Sequence, residues 1–544
     1  MHTLSRALSG VVVATALTAC RDPLAVQNRN NPDRLRVLAT ATDLETYTAG
    51  AFRMMHQGSI GANAAGSGGS IASLARASSW EVTAAMANCG YLNFQAIPRT
   101  AIDNSRGNRF NTAILTDFAR QSSAARAAAD GLNRLTLGGV SLPSAAQNAR
   151  LKAFAWFTLG VALGNLSLVY DSAAIVDPYA DLAFVPPLSG YREVAAAALT
   201  DLDSALAWAS ATGTNGFSLP STWINGNALT AAQFIQLVRS YKAHVRADVA
   251  RTEAEGDAVD WQAVLADASN GITADLQITT QSSPFWGIGV CYWFTGSQVT
   301  QFIAGMADTS GGYEAWLRAP LGNKVPFLVV TPDRRFPQGT TRAAQRTNSP
   351  TTPTGMLYFA NRTTGDMDAG PYGTSFYYWY RFWAWWMNPA GGPYPVFSHN
   401  QNDMLQAEAY LRTGNVPAAA ALIDLYRMRA GLPALSGVIT ALGQPVPGGA
   451  ACVPRVPVGT GPEWTGSTCG DIWEAMKWEF RMENMFIGYS SWYFPSRRWG
   501  DLPEGTPLHW PVPYQEMDAR RHPFYNLGGV GGVDGAVGKG TYGL

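Results

Sequence analysis

The sequence predicts a mainly α fold in which tetratricopeptide-like helical hairpins stack into an α-α superhelix, decorated by a loop-rich lobe that contains a little β structure. Three observations carry this. The stretch 402–433, NDMLQAEAYLRTGNVPAAAALIDLYRMRAGLP, reads as two short antiparallel helices joined by a tight turn. Three segments between residues 151 and 249 place apolar residues at i, i+3, i+4 and i+7, the stripe of a half-buried helix. From about residue 279 to 398 that period fades, and Gly, Pro, Thr and aromatics take over.

Residues 1–19 have the parts of an export signal: Arg6, the apolar run Ala7 to Leu17, then Leu17-Thr18-Ala19-Cys20. The run is shorter than the ~20 residues that span a bilayer. Leu-Thr-Ala-Cys matches the bacterial lipobox, so Cys20 is expected to carry lipid and to hold an otherwise soluble protein at a membrane through its acyl chains. Residues 20–41 then form a tether.

A helical repeat region is expected over 42–278. Its first helical pattern, from Thr42 to about Ala87, is interrupted by the Gly/Ser/Ala run Gly58 to Ser70. A polar and aromatic stretch holding Trp80, Tyr91, Asn93, Phe94, Asn104 and Arg109 reads as loop. Helices follow around Leu151–Ala162, Tyr191–Leu206 and Phe234–Val249. The segment 279–398 reads as a lobe for ligand or partner, with Trp286, Tyr292, Trp293 and Phe294 close together, and with FYYWYRFWAWW from Phe376 to Trp386. So dense an aromatic run is expected to be mostly core.

Residues 399–544 hold the last repeat and the C-terminal region. In its hairpin Met404, Ala407 and Leu411 share one face of the first helix; Ala418, Leu422, Leu425 and Arg429 are expected to face inward from the second. Gly414 suits the left-handed close of the first helix, and Pro417 the first turn of the next. Cys452 and Cys469 flank a Gly/Pro-rich excursion, and a disulfide between them would close a loop worth ~3 kcal/mol of chain entropy.

The motif AEAYLRTGN, the following RMRAGLP, and the C-terminal DIWEAMKWEFRMENMFIGYSSWYFPSRRWGDL resemble the SusD/RagB family of nutrient-binding surface lipoproteins. Glu479, Glu483, Phe486, Gly488, Arg497, Arg498, Trp499 and Gly500 match its C-terminal signature. The segment CRDPLAVQNRNNPD after Cys20 is similar to the family's tether, and HWPVPYQEMDARRHPFYNLGG to its closing stretch. Ile487 stands where the family carries Glu, and the residues between Gly488 and the Arg pair also depart, differences that bear on the family's internal salt bridges and not on the fold. It implies a protein at the cell outer membrane that caps a TonB-dependent, SusC-like β-barrel transporter and passes it a glycan or peptide, with no cofactor.

Charge agrees with a neutral, polar ligand. Lys+Arg and Asp+Glu both number 39, charged residues are 14% of the chain, and Trp, Tyr and Phe supply 61 positions. That balance gives no electrostatic footprint for nucleic acid. Trp80, Tyr91, Asn93, Trp286 and Trp293 are the candidate ligand contacts, because flat aromatic faces stack on the CH face of a sugar ring. No HExxH, GxSxG or Walker loop occurs, and no cysteine or histidine cluster suggests a metal. Glu479 and Glu483, at i and i+4, share their helix with Lys477 and Arg481 and read as surface ion pairs. Two alternatives stand beside the binding reading: a lipid-anchored, helical-toroid glycoside hydrolase, which needs two carboxylates across a cleft, and a scaffolding repeat protein of the cell surface.

Overall fold

Capping chemistry starts the scaffold. In the computed structural model, which describes residues 38–60, 70–83, 94–95, 99–108, 111–181, 183–211, 216–281, 286, 298–349, 356–362, 374–388, 391–459, 461, 463–489 and 492–527, helix after helix begins at a Ser or Thr that accepts a backbone hydrogen bond. The export signal, Cys20 and the tether lie outside the described residues.

The N-terminal half runs α1 (Ala41–Ser59), α2 (Ile71–Ser78), α3 (Asn111–Thr136), α4 (Ala145–Val169), the ribbon β1 (Ser172–Ala174) and β2 (Leu188–Gly190), α5 (Tyr191–Ser210), α6 (Ala231–Asp248), α7 (Glu253–Asp257), α8 (Trp261–Ala268) and β3 (Leu276–Thr280). The lobe contributes α9 (Gln301–Gly305), α10 (Gly312–Arg318), α11 (Arg342–Thr347), β4 (Phe359–Asn361), β5 (Tyr377–Trp379), α12 (Trp383–Met387) and β6 (Gly392–Phe397). Then come α13 (His399–Arg412), α14 (Val416–Arg427), β7 (Arg455–Val458), β8 (Gly466–Cys469), α15 (Ile472–Asn484), α16 (Tyr493–Trp499) and α17 (Tyr514–Ala519). Every sheet among the described residues is a two-stranded antiparallel ribbon, so the fold is mainly α.

Four hairpins stack in chain order: α1 with α3, α4 with α5, α6 with α8, and α13 with α14. Their first helices also touch in succession, α1 on α4, α4 on α6 and α6 on α13, which is the inner row of a helical-repeat superhelix. The sequence marks that row. Helices α4, α6 and α13 each open with a full capping box, Ser144 with Gln147, Thr230 with Gln233 and Ser398 with Gln401. Small residues set the spacing: a Cβ on Gly160 would lie 2.8 Å from Leu202 Cγ of α5, and one on Gly164 2.7 Å from Val245 Cγ2 of α6. Helix α4 is long and apolar enough to cross a membrane, yet 94% of its most apolar window is buried by its neighbours, which makes it the core of the stack.

Helix α3 is absent from the sequence reading above, for a physical reason. Its buried face is built of alanines interleaved with Asp117, Gln121, Asp130 and Asn133, so no strong apolar period announces it. Those polar groups are paired: Asp117 Oδ2 accepts from the hydroxyls of Tyr489 (2.7 Å) and Tyr170 (2.9 Å), and Asn133 Nδ2 donates to the carbonyl of Pro178 at 2.8 Å. Burial pushes the Asp117 carboxyl up to about 7 against these hydrogen bonds. The folded state therefore holds a proton that the unfolded chain releases near its ordinary value. That contribution to stability is present at pH ~4 and lost as pH rises through ~7. Asp117→Asn should flatten this part of the slope in thermal melts between those two values; an unchanged slope would remove Asp117 as its source.

The last hairpin closes as its sequence suggests. Gly414 adopts φ 83°, and Asn415 caps α14 by accepting from the Ala418 amide at 3.3 Å. Met404, Ala407 and Leu411 are buried. The inward face of α14 is a correction: Ala419, Ala420, Ile423 and Tyr426 are buried, whereas Leu425 is 58% exposed, Arg429 is exposed and Leu422 is only partly covered. Counting a stripe through an alanine run leaves the helix phase undetermined, and packing against α15 sets it. Ile423→Ala should cost ~2–5 kcal/mol, and Leu422→Ala ~1 kcal/mol or less, in urea-unfolding midpoints. Equal losses would contradict this phase.

Two large cores result. One fills the helical stack from α1 to α6 and continues into α16 and residues 502–517. The other joins the lobe to α13, α14 and α15, so 279–398 is packed onto the C-terminal helices. Cys452 and Cys469 are bonded, with Cα atoms 5.8 Å apart, at the foot of the β7–β8 ribbon.

Candidate functional site

One small antiparallel ladder gathers the loop segments. The backbone of Gln298 pairs with Thr83 on one side and with Tyr378 of β5 on the other, and Gln298 Oε1 accepts from the Ser375 amide at 3.3 Å. Two segments that carry candidate residues thus begin or end on a single structural anchor: that after Thr83 and that before Gln298. Tyr91, Asn93 and Trp293 belong to them and lie outside the described residues.

The aromatic run divides by strand alternation. In β5, Tyr377 and Trp379 point into the second core, while Tyr378 is half-buried on the opposite face. Phe376 and Trp383 are also half-buried, Phe382 is half-buried against Trp379 and Tyr394, and Trp386 is 39% exposed. Tyr378 and Tyr380 lie 6.1 and 5.8 Å from Trp383, ring centre to ring centre, and the Arg342 guanidinium sits 4.1 Å over Phe376. Arg381 is fixed by donating to the Glu483 carbonyl at 2.6 Å. This face offers apolar ring surface with planar donors at its edge, which suits a ligand that combines CH surface with hydroxyl or amide groups. Sequence reading had placed the run in the core as a block. The period of two in FYYWY was the signal that separates Tyr378 from its neighbours.

Trp80 is a correction. It is 8% exposed, and its ring packs 4.9 Å from Phe302 in the second core. Its φ of 66° places it at the left-handed position that closes α2: the Glu81 amide returns to the Arg76 carbonyl at 3.1 Å, and Thr300 Oγ1 donates to the Trp80 carbonyl at 2.9 Å. Trp80 is a corner post for the ladder, not a stacking platform. Trp286 is 7% exposed, with its ring 5.3 Å from His56 and 6.5 Å from Phe52. It also lines a surface cleft between α1, α4 and residues 220–223.

Glu479 and Glu483 are also corrected. Both are buried: Arg335 Nη1 lies 2.7 Å from Glu479 and 3.5 Å from Glu483, Tyr358 donates its hydroxyl to Glu483 at 2.7 Å, and Arg429 reaches Glu483 at 3.0 Å. Their helix neighbours Lys477 and Arg481 pair instead with Asp501. The carboxyls are buried and held by the cations of Arg335 and Arg429. Among the described residues no cluster of three or more His, Cys, Asp or Glu is placed to hold a metal ion.

No protein-family model and no curated protein matches the sequence. Solved structures do match its backbone. A SusD-like protein of Bacteroides fragilis superposes with a TM-score of 0.54 at 13% identity, over 89% of this chain and 96% of that one. SusD superfamily proteins of Bacteroides vulgatus and Parabacteroides distasonis each give 0.52, at 13% and 12% identity, over 89% and 88% of this chain and 90% and 97% of theirs. This chain has the SusD-like fold. The SusD-like scaffold accounts for the helical stack and for the lobe packed on its C-terminal helices. Both arginines of the RRWG segment are buried: Arg497 donates to the carbonyls of Leu168 and Asp248, each at 2.8 Å, and Arg498 binds Glu408 at 2.6 Å and also Asp248.

Proposed function

We propose that this protein is a non-catalytic surface lipoprotein that binds a nutrient, most naturally an oligosaccharide, and delivers it to a TonB-dependent, SusC-like outer-membrane transporter. The ladder joining Thr83, Gln298 and Tyr378 supports this reading, because it brings the described residues that flank the candidate segments to one place beside the aromatic strand β5. The even charge balance, 39 basic against 39 acidic residues, supports a neutral ligand over an ionic one. Tyr91, Asn93 and Trp293 are proposed contacts on the segments that leave this ladder, with Tyr378 and Trp383 as the stacking surface beside them.

Two measurements test the proposal. Cys20→Ala should release the protein from the outer-membrane fraction; retention after a salt wash would place the anchor elsewhere. Incubation of the soluble form with oligosaccharides should give binding without new reducing ends. Appearance of reducing ends would favour the glycoside hydrolase, and no shift in melting temperature with any glycan or peptide would favour the scaffold.

A further inference from the structure

We infer that the cleft between α1, α4 and residues 220–223 is a second saccharide subsite, separate from the aromatic loop face, which takes a neutral mono- or disaccharide. It rests on the preceding reading for its ligand class.

The cleft has a volume of ≈ 430 Å³, within the ~300–1,000 Å³ range of small-molecule sites. Its floor is Gly50, in the middle of α1. Glycine weakens a helix interior, and in this scaffold other helical glycines are accounted for by close packing: a Cβ on Gly131 would meet Thr48 Oγ1 at 2.2 Å, and Gly160 and Gly164 are equally crowded. Around Gly50 a Cβ would meet nothing within 4 Å. No neighbour needs the missing side chain; the space above it is cleft.

The wall carries a polar pair from two helices. Arg150 Nη2 of α4 binds Glu45 Oε1 of α1 at 2.6 Å, and its guanidinium lies 5.0 Å over the ring of Trp223. Nη1 of Arg150 donates to the Ser218 carbonyl at 3.3 Å, while Nε is buried without a hydrogen-bond partner. Glu45 Oε2 makes no hydrogen bond among the described residues. Arg150 Nη1 and Nη2 each keep one N–H beyond the bonds named, so donors stand beside the Glu45 Oε2 acceptor, the arrangement that adjacent ring hydroxyls satisfy together. Thr222 adds a polar lining residue, and Trp223 and Trp286 supply apolar wall. The charged lining is Glu45, Arg150 and Arg53; Glu45 and Arg150 neutralise one another, and the two arginines disfavour a cation.

The test uses the soluble full-length chain and four neutral disaccharides, maltose, cellobiose, lactose and mannobiose, followed by saturation-transfer NMR. At least one should bind. Gly50→Leu, which fills open space and favours the helix, should weaken it ~10-fold or more, and Arg150→Met by a similar factor, with melting temperatures kept. Gly50→Ala controls for folding should Leu perturb it. Leu137→Ser, at a position 61% exposed that does not line the cleft, should leave this signal unchanged. Full binding by folded Gly50→Leu and Arg150→Met overturns the subsite while the loop-face reading stands. Binding of long oligosaccharides with no disaccharide signal also overturns the subsite alone; no binding of any saccharide overturns both.

Discussion

Replacing Arg335 by Met is expected to cost about 3–5 kcal/mol of folding stability. The guanidinium is fully buried and joins three acids from two parts of the chain: Asp333 at 2.7 Å, Glu479 at 2.7 Å and Glu483 at 3.5 Å. Trp478 donates to the same Asp333 at 3.0 Å, so the group is closed by hydrogen bonds as well as by charge. Burial already pushes Glu479 up to about 7 despite the arginine beside it. With the cation removed, the acids face one another in the core without a counter-charge. The folded pKa of Glu479 then lies further above its unfolded value, and the stability of the variant is lost as pH rises through it. The deficit relative to the parent should therefore be larger at pH 8 than at pH 5, and Arg335→Met/Glu479→Gln should recover part of it. Urea unfolding at both pH values checks this, and a deficit that does not depend on pH would contradict the charge account.

Arg498→Met is expected to cost a similar ~3–5 kcal/mol, and to leave a spectroscopic trace. Its guanidinium grips Glu408 of α13 with Nε at 3.0 Å and Nη2 at 2.6 Å, and also binds Asp248 of α6, clamping two helices of the inner row. His244 Nδ1 donates to that same Asp248 at 2.6 Å, and burial, followed by the Arg498 charge, pushes the imidazole down to about 3. Loss of the arginine leaves Asp248 with His244 as its neighbour and removes the repulsion, so the His244 pKa should rise. An NMR titration of the ring reads this directly. A large stability loss with an unmoved His244 would mean that packing, and not the charge of Arg498, holds α6 to α13.

What could be read from the residues alone follows from how each part is stabilised. The closing hairpin was legible because Gly414, Asn415 and Pro417 are local turn chemistry, and α4, α5 and α6 because their apolar spacing is strong. Capping boxes at Ser144, Thr230 and Ser398 wrote the repeat into the sequence a second time. Helix α3 was hidden because its core face is alanine and paired polar groups. Trp80 misled because an aromatic among loop residues looks the same whether its ring faces solvent or Phe302. Glu479 and Glu483 misled because their partner, Arg335, is 144 residues away along the chain from Glu479, beyond any local pattern. The site was less legible than the fold: Tyr378 joins the ladder only through pairing with Gln298, a long-range bridge that no spacing reveals.

The central claim is that this SusD-like scaffold captures its ligand on the aromatic face beside the Thr83–Gln298–Tyr378 ladder. Isothermal titration of the soluble protein with the best-binding oligosaccharide of a glycan panel, repeated on Tyr378→Ala and Trp383→Ala at matched melting temperature, tests it most directly. The account predicts at least ~10-fold weaker binding in each folded variant, about 1.4 kcal/mol or more, as expected when a stacking surface is removed. Full-strength binding by both variants would contradict it.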